Sequence, residues 1–570
     1  MNRLTRTAAV VVIALTTLPL ARAQEKQGAE IPKLVENIDV RVINVDVVVT
    51  DKKGNSITGL TKDDFELYEN GMPKPISNFY EVEGRKALNV SVAEANGATP
   101  GTATPATAAA PENEPISENL RRRIILYIDN LSLAPFNRNR VFKDMKAFAA
   151  SVMRPGDETM IATYNRSMKV RLPFSRDPKQ VQQTLDIIAG ESGLGVTSRS
   201  EAKDTQGQIR DAQSYDDAIS AARTYSQSVE HDLRQSVASL NALMSTLAGV
   251  EGKKILVLTS EGFQMQPGRE MFQYIDELSR EKQGWNTGGT LLEGMSFNNS
   301  SLIEQVARSA NANNITMYTI HAGGLVAGNE GMSADNAQAI PFSVQQAALS
   351  NSTDSMRLMA DMTGGVASLQ TNNFAAAFNR IQKDLDSYYS LGYRAGTERV
   401  DRQRSIEVRA KNRNYVVRSR QTFVEKSTFA EMSDRVVANL LYKSKANDLK
   451  IVIKANTPRL TDNGLYDVPV DIQIPMESLT LLPQGDLNIG GFTVYVAVAN
   501  KDNDMSDVSQ KEHQIRIPSS DMEKIKGKYY TYSLDLMMEP GLNKISIGVS
   551  DDISNVTGFA RDQIIAQDLR

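Results

Sequence analysis

Ile124-Ile125-Leu126-Tyr127-Ile128 is an uninterrupted apolar run between Arg121-Arg122-Arg123 and Asp129-Asn130. Such a run predicts a strand buried on both faces of a parallel sheet, with Asp129 at its carboxyl end. After it the pattern changes to helical spacing, with Val141, Met145, Phe148, Ala149 and Val152 on one stripe. Thr159 to Tyr164 and Met168 to Leu172 read as short strands, and Asp177-Pro178 opens a helix carrying Val181, Leu185, Ile188 and Ala189. Gly190 to Ser200 reads as a loop rich in Gly, Ser and Thr. Ile219, Ala222, Tyr225, Val229, Leu233, Val237, Leu240, Met244 and Leu247 then predict one very long helix or two in series, with an insertion near 204–231. Lys254 to Thr259 is a second buried strand, ending in Ser260-Glu261-Gly262, and Ile315 to Ile320 a third. The stretches 284–300 and 323–345 read as surface loops, and Ser301-x-x-Glu304 as a helix start. Strand and helix in alternation predict a doubly wound, mostly parallel sheet covered on both faces.

Outside this region the period is two. Ile38, Val40 and Val42 alternate, then Ile43, Val45, Val47 and Val49 alternate in opposite phase, which predicts a bulge near Ile43-Asn44. Residues 35–90 therefore read as a β-rich, sandwich-like module. From 91 to 117 the chain turns to Ala, Thr, Pro and Gly, a composition that cannot offset its ordering entropy by burial, hence a linker. The α/β domain is expected over 118–425, with alternating strands in 405–424 added to it antiparallel. Strands at Leu449 to Lys454, Tyr466 to Ile474, Gly491 to Val498, Tyr529 to Met538 and Asn543 to Ser550 predict a second sandwich-like domain over 430–570. The expected architecture is multidomain, a central α/β domain between two β-rich modules.

Arg3 and Arg6 precede the apolar run Ala8 to Leu20, and Ala21-Arg22-Ala23 follows, the pattern of a signal peptide spanning 1–23. Export to the periplasm or the cell exterior is expected, with no transmembrane segment, because the apolar run is too short to span a bilayer. The chain has no cysteine, which removes disulfides, thiol nucleophiles and zinc–thiolate sites. Net charge is −4, and losing Arg3, Arg6 and Arg22 with the leader makes it −7, so nucleic acid is not an expected partner.

Candidate chemistry is sparse. His231, His321 and His513 are far apart and show no metal-ligand spacing; only His321 follows a strand at the edge where such sheets bind ligands. Asp502-Asn503-Asp504-Met505-Ser506-Asp507 lacks the glycine and glutamate of a calcium loop and reads as a polar hairpin turn. Trp285, the single tryptophan, is either an exposed anchor or the residue that folds its own loop down. No phosphate-binding loop and no nucleophile elbow is present.

Val45-Asp46-Val47-Val48-Val49-Thr50-Asp51, Gly59-Leu60-Thr61-x-Asp63-Asp64-Phe65, the strand end Ile128-Asp129-Asn130, Leu256-Val257-Leu258-Thr259-Ser260-Glu261-Gly262, Thr363-Gly364-Gly365 and Tyr388-Tyr389-Ser390-Leu391-Gly392-Tyr393 occur in this order. Together they make residues 35–425 resemble the secreted, acidobacterial-type VWFA-related family, whose members carry a von Willebrand factor A domain. The resemblance implies an A-domain architecture and no established activity. Most A domains hold a divalent cation through Asp-x-Ser-x-Ser after the first strand, a threonine on a second loop and an aspartate on a third. Here Asp129 matches, but Leu131 and Leu133 stand at the serine positions, with Ser132 between them. Thr197 is the second-loop candidate, and Glu261, preceded by Ser260, replaces the third-loop aspartate. The implied adhesion site is degenerate. No cofactor is expected; magnesium or manganese, if any cation, would fall to Asp129, Ser132 and Glu261. Asp129 and Asn130 otherwise cap the loop that follows.

The expected function is recognition of an unidentified protein or envelope ligand, without catalysis, by Asp129, Asn130, Ser132, Thr197, Ser260, Glu261 and His321 at the carboxyl edge. The alternative is a structural or assembly role in the envelope, with the β modules making the contacts.

Overall fold

The computed structural model describes residues 42–84, 86–92, 121–153, 156–282, 284–285, 288–325, 340–394, 400–442 and 446–567. The expected leader and nearly all of the expected linker lie outside them. The chain divides into two compact units, one spanning 40–245 and 251–425, the other containing 246–250 and everything from 426 onward.

The first unit opens with strands β1 (Val42–Thr50), β2 (Phe65–Glu69), β3 (Met72–Lys74), β4 (Ile76–Glu83) and β5 (Lys86–Val92). The α/β part follows: β6 (Arg122–Asp129), α1 (Pro135–Val152), β7 (Glu158–Tyr164), β8 (Met168–Ser175), α2 (Pro178–Ala189), α3 (Gly195–Asp211), α4 (Tyr215–Thr246) and β9 (Lys253–Ser260). It continues through α5 (Arg269–Ser279), α6 (Thr290–Ser296), α7 (Ser300–Ala312), β10 (Ile315–His321), α8 (Phe342–Thr363), β11 (Ala367–Ser368) and α9 (Phe374–Asp386). Strands β12 (Ser387–Arg394), β13 (Gln403–Ala410), β14 (Val416–Ser419) and β15 (Thr422–Val424) complete the unit.

The central sheet has the order β11-β10-β9-β6-β7-β8. Its neighbours pair parallel except β8, which returns antiparallel to β7. Every residue of β6 is buried, as a central strand covered on both faces requires. One face packs Ile124, Leu126 and Ile128 against Val141, Phe142, Met145 and Phe148 of α1 and against Phe378 and Ile381 of α9. The arginines before the run do more than mark its boundary. Arg122 is buried and pairs with Asp157 at 2.7 Å and with Asp386 at 2.9 Å.

The N-terminal strands do not form a module of their own. β1 lies between β12 and β14, β4 lies between β12 and β5, and β2 pairs with β13. The two resulting antiparallel sheets share a core of Val45, Val47, Val49, Phe65, Leu67, Phe79, Tyr389, Leu391, Tyr393, Ile406, Val408 and Phe423. The expectation of a separate 35–90 module, with the later strands added to the parallel sheet, is corrected here. Both segments alternate with period two and each offers a single apolar face, so they complete each other. The pairing of β1 with β12 runs unbroken from Val42 to Val47, so the expected bulge at Ile43-Asn44 is not found. Ile38 and Val40, which set the opposite phase, lie outside the described residues.

Three stretches expected as loops carry helix: Gly190 to Ser200 gives way to α3 at Gly195, the 284–300 stretch contains α6, and α8 begins at Phe342 inside 323–345. Helix α7 starts one residue ahead of the expected Ser301. The long helical pattern from Ile219 is one helix, the 32-residue α4, which ends one residue short of Leu247.

In the second unit, helix α10 (Thr428–Tyr442) is followed by β16 (Val452–Ala455), β17 (Arg459–Leu460), β18 (Tyr466–Pro475), β19 (Leu482–Gln484), β20 (Leu487–Ala499), β21 (Ser509–Pro518), the short α11 (Met522–Ile525), β22 (Tyr529–Met538), β23 (Gly541–Asp551) and β24 (Thr557–Ala566). One antiparallel sheet contains β16, β17, β18 and β22, and another β19, β20, β21, β23 and β24. Val468, Val470, Ile472 and Ile474 of the first meet Phe492, Val494, Ile545 and Ile547 of the second in one core. Asn500 to Asp504 is the expected polar turn, with Asn500 Oδ1 accepting from the backbone N–H groups of Asp502 and Asp504 at 3.0 Å.

Candidate functional site

β6 is the point where the sheet order reverses, with β7 on one side and β9 on the other. Loops leaving two such neighbours part in opposite directions and open a crevice at their carboxyl ends. Asp129 ends β6 and Ser260 ends β9, so the topology brings them together.

Asp129 Oδ2 accepts from Ser132 Oγ and from Ser260 Oγ, each at 2.7 Å, and the two hydroxyls stand 2.9 Å apart. Ser132 Oγ also accepts from the Glu261 N–H, and Ser260 Oγ from the Gly262 N–H, both at 3.0 Å. Gly262 sits at φ +101°, and a Cβ there would lie 2.5 Å from the Ser352 carbonyl, so this turn requires glycine. Burial pushes the Asp129 carboxyl pKa up, while the hydrogen bonds from Ser132 and Ser260 work against it.

Glu261 points the other way. Its Oε1 accepts from the Ala134 N–H and from Asn137 Nδ2, both at 3.0 Å, where an acidic group meets the amino end of α1. Its Oε2 pairs with Arg199 of α3. α3 reaches this place because Gly195 packs on the 132–134 backbone, where a Cβ would lie 2.2 Å from the Ser132 carbonyl. The Leu194 N–H donates to the Asn130 carbonyl at 2.9 Å.

Of the residues expected at the edge, Asp129, Ser132, Ser260 and Glu261 form this one cluster. Asn130 does something else: its Oδ1 accepts from the buried Arg138 at 3.1 Å. Arg138 in turn donates to the Ala189 and Glu191 carbonyls at 3.1 and 2.7 Å, tying α1 to the loop before α3. Thr197 lies exposed in the first turn of α3. His321 stands across from Ser260 in the β9–β10 register, buried, with Nδ1 unpartnered. Burial pushes its pKa down, with the Glu261 charge working against that, so the ring is held neutral. His231 is exposed, and Trp285 is half-buried edge-on to Tyr215 at 6.1 Å, folding its own loop down.

Sequence reasoning missed Arg199, Asn137 and Arg138. Arg138 lies one helical turn before Phe142 of the apolar stripe, and an arginine there reads as solvated until its carbonyl partners are in place. Arg199 sits in a stretch read as loop, and only the α3 turn carries it to Glu261.

Leu133 packs into the main core and Leu131 is buried, so the positions of the expected hydroxyls turn inward and supply no oxygen. Cis oxygens around magnesium stand about 2.9 Å apart at its usual bond length. The spacing of Asp129 Oδ2, Ser132 Oγ and Ser260 Oγ alone would therefore admit the ion. The ligand count does not: Leu131 and Leu133 supply no oxygen, and the nearby acid Glu261 already pairs with the Arg199 cation. The donor set does not fit a divalent cation of the expected kind. Among the described residues no group of three or more His, Asp or Glu side chains is arranged to hold a metal.

Three large apolar side chains are exposed on segments at the same edge. Phe136 at the start of α1 is 77% exposed, Val196 at the start of α3 is 59% and Leu325 after β10 is 60%. Arg140 links two of these loops, with its guanidinium 5.9 Å from the Phe136 ring and 3.1 Å from the Ala322 carbonyl.

Six strands in this order, with polar side chains gathered where the order reverses, define an open doubly wound α/β domain; in such sheets the carboxyl edge is where ligands bind. The antiparallel edge strand β8 and the aspartate–serine cluster after the first parallel strand make the fold von Willebrand factor A-like. No protein-family model matches the chain, and no curated protein matches it. Among solved structures it is similar to an aerotolerance-related membrane protein from Bacteroides fragilis, at 10% identity over 47% of this chain and 98% of that one, with a TM-score of 0.24. It is also similar to BatB from Bacteroides thetaiotaomicron, at 10% identity, 47% and 98% coverage and a TM-score of 0.21. Manganese-loaded TRAP from Plasmodium vivax gives 12% identity, 53% and 93% coverage and a TM-score of 0.21. At these TM-scores the likenesses carry no weight, and the fold assignment rests on strand order.

Proposed function

We propose that this is an exported, non-enzymatic protein whose A-like domain recognises a protein or envelope ligand at the carboxyl edge of its parallel sheet. The observation that carries the reading is the pairing of a closed polar cluster with exposed apolar side chains. Asp129, Ser132, Ser260 and Glu261 are bonded to one another, to Asn137 and Arg199, and to the backbone. Phe136, Val196 and Leu325 at the same edge are the kind of exposed apolar groups that anchor partners. Arg199 and Arg140 add positive charge, which favours an acidic partner surface. Export with cleavage after Ala23 belongs to the same reading, and an intact mass starting at Gln24 is its check. Among the described residues no helix is long and apolar enough to cross a membrane.

The test is capture of a partner from an envelope extract by the full chain, repeated with Phe136→Asp and Leu325→Asp. Both side chains are exposed, so melting temperature should hold while partner affinity falls at least tenfold, about 1.4 kcal/mol. Undiminished capture by both variants would contradict the edge as the binding face.

A further inference from the structure

A second site lies away from that edge, on the helical layer, and it does not depend on the reading above. Gln266, Arg269, Phe272, Gln273, Leu291, Gly294 and Met295 line a cavity of about 220 Å³ between α5 and α6. Its floor is apolar. Phe272 is buried, and Gly294 lies so close to it that a Cβ would stand 3.0 Å from the ring, so glycine lets α6 seat there. Leu291 and Met295 are 46% and 59% exposed, although α6 carries them over this floor. The guanidinium of Arg269, exposed at the amino end of α5, has no ion-pair or hydrogen-bond partner among the described residues. Most arginines of the unit are spent: Arg122, Arg138, Arg199, Arg223, Arg404 and Arg418 each hold an acid or a carbonyl.

We infer that this cavity binds the free C-terminal residue of a polypeptide whose last side chain is apolar. The volume is below the roughly 300–1,000 Å³ of sites for drug-sized ligands and cofactors, and it suits one large side chain. An unpaired guanidinium at the wall of an apolar cavity matches a carboxylate, which it receives through two parallel hydrogen bonds. Gln266 and Gln273 each offer an amide donor and an amide acceptor, the complement of a peptide unit. A fatty acid of equal volume would leave both unanswered, so the chemistry favours a peptide end over an acyl chain.

Trp285 gives a built-in reporter. It packs on Tyr215, whose hydroxyl stands 2.7 Å from Thr290 Oγ1 at the first residue of α6. The experiment titrates the full chain with acetyl-Ala-Leu as free acid, the same dipeptide as C-terminal amide, and octanoate, by calorimetry and Trp285 emission. The free acid should saturate, with the amide and octanoate at least tenfold weaker. Arg269→Gln should lower the free acid to the level of the amide, and Met295→Gln should weaken the acid and the amide alike. Both positions are exposed, and unchanged melting curves would confirm that the variants fold. No saturation by the free acid, equal affinity for acid and amide, full affinity in Arg269→Gln, or tighter binding of octanoate would each overturn the assignment.

Discussion

Arg138→Met should destabilise the first unit by about 2–4 kcal/mol, because it strands the buried acceptors that the guanidinium serves. Arg138 is fully buried and is held by Asn130 Oδ1, Asn139 Oδ1 and the Ala189 and Glu191 carbonyls. Methionine fills similar space but donates nothing, so the Ala189 and Glu191 carbonyls lose their donor where water cannot easily replace it. Asn130→Ala removes a single acceptor from the same arginine and should cost only about 1–2 kcal/mol. The comparison matters for function, since it places Asn130 among the residues that build the edge loops. Urea unfolding of the two variants measures it; a larger loss for Asn130→Ala than for Arg138→Met would contradict this division.

The second large effect lies at the opposite end of β6. Asp157→Ala should cost about 3–5 kcal/mol, by stranding the Arg122 guanidinium. Asp157 takes Arg122 Nε at 3.1 Å and Nη2 at 2.7 Å, and both side chains are buried. Asp386, the remaining acid, contacts only Nη1 at 2.9 Å and is partly solvated. Replacing both partners, with Arg122→Met and Asp157→Leu together, should recover much of the loss, because the one charge then left without its partner, Asp386, is partly solvated. Thermal unfolding decides it; a double variant no more stable than Asp157→Ala would mean that the pair also stabilises the fold through its own attraction.

The parallel sheet was legible because each of its buried strands is a short apolar run that ends in polar residues. Ile124 to Ile128, Lys254 to Thr259 and Ile315 to Ile320 all fall inside strands of that sheet. The partnership between β1 and β12 was not legible. Val45, Val47, Val49 and Tyr389, Leu391, Tyr393 each announce one apolar face, but period-two alternation does not say which distant strand will cover it. The site divides in the same way. Asp129 and Ser260 could be placed because strand ends are fixed by topology. Arg199, Asn137 and Arg138 could not, because their roles come from the loop conformation that Gly195 and Gly262 allow.

The cluster at the sheet edge is expected to be held by the bonds among Asp129, Ser132 and Ser260 and by the Glu261–Arg199 pair, with no divalent cation completing it. The direct measurement is the melting temperature of the full chain in millimolar magnesium, in millimolar manganese and with chelator, alongside Asp129→Asn. The cluster as described predicts superimposable curves under all three conditions. It also predicts a cost of about 1–3 kcal/mol for Asp129→Asn, whose amide oxygen can accept both hydroxyls only by burying the amide nitrogen beside them. A cation bound at a hundredfold excess over its dissociation constant would add about 2.7 kcal/mol. A metal-dependent rise in melting temperature of that size, abolished by Asp129→Ala, would contradict the claim.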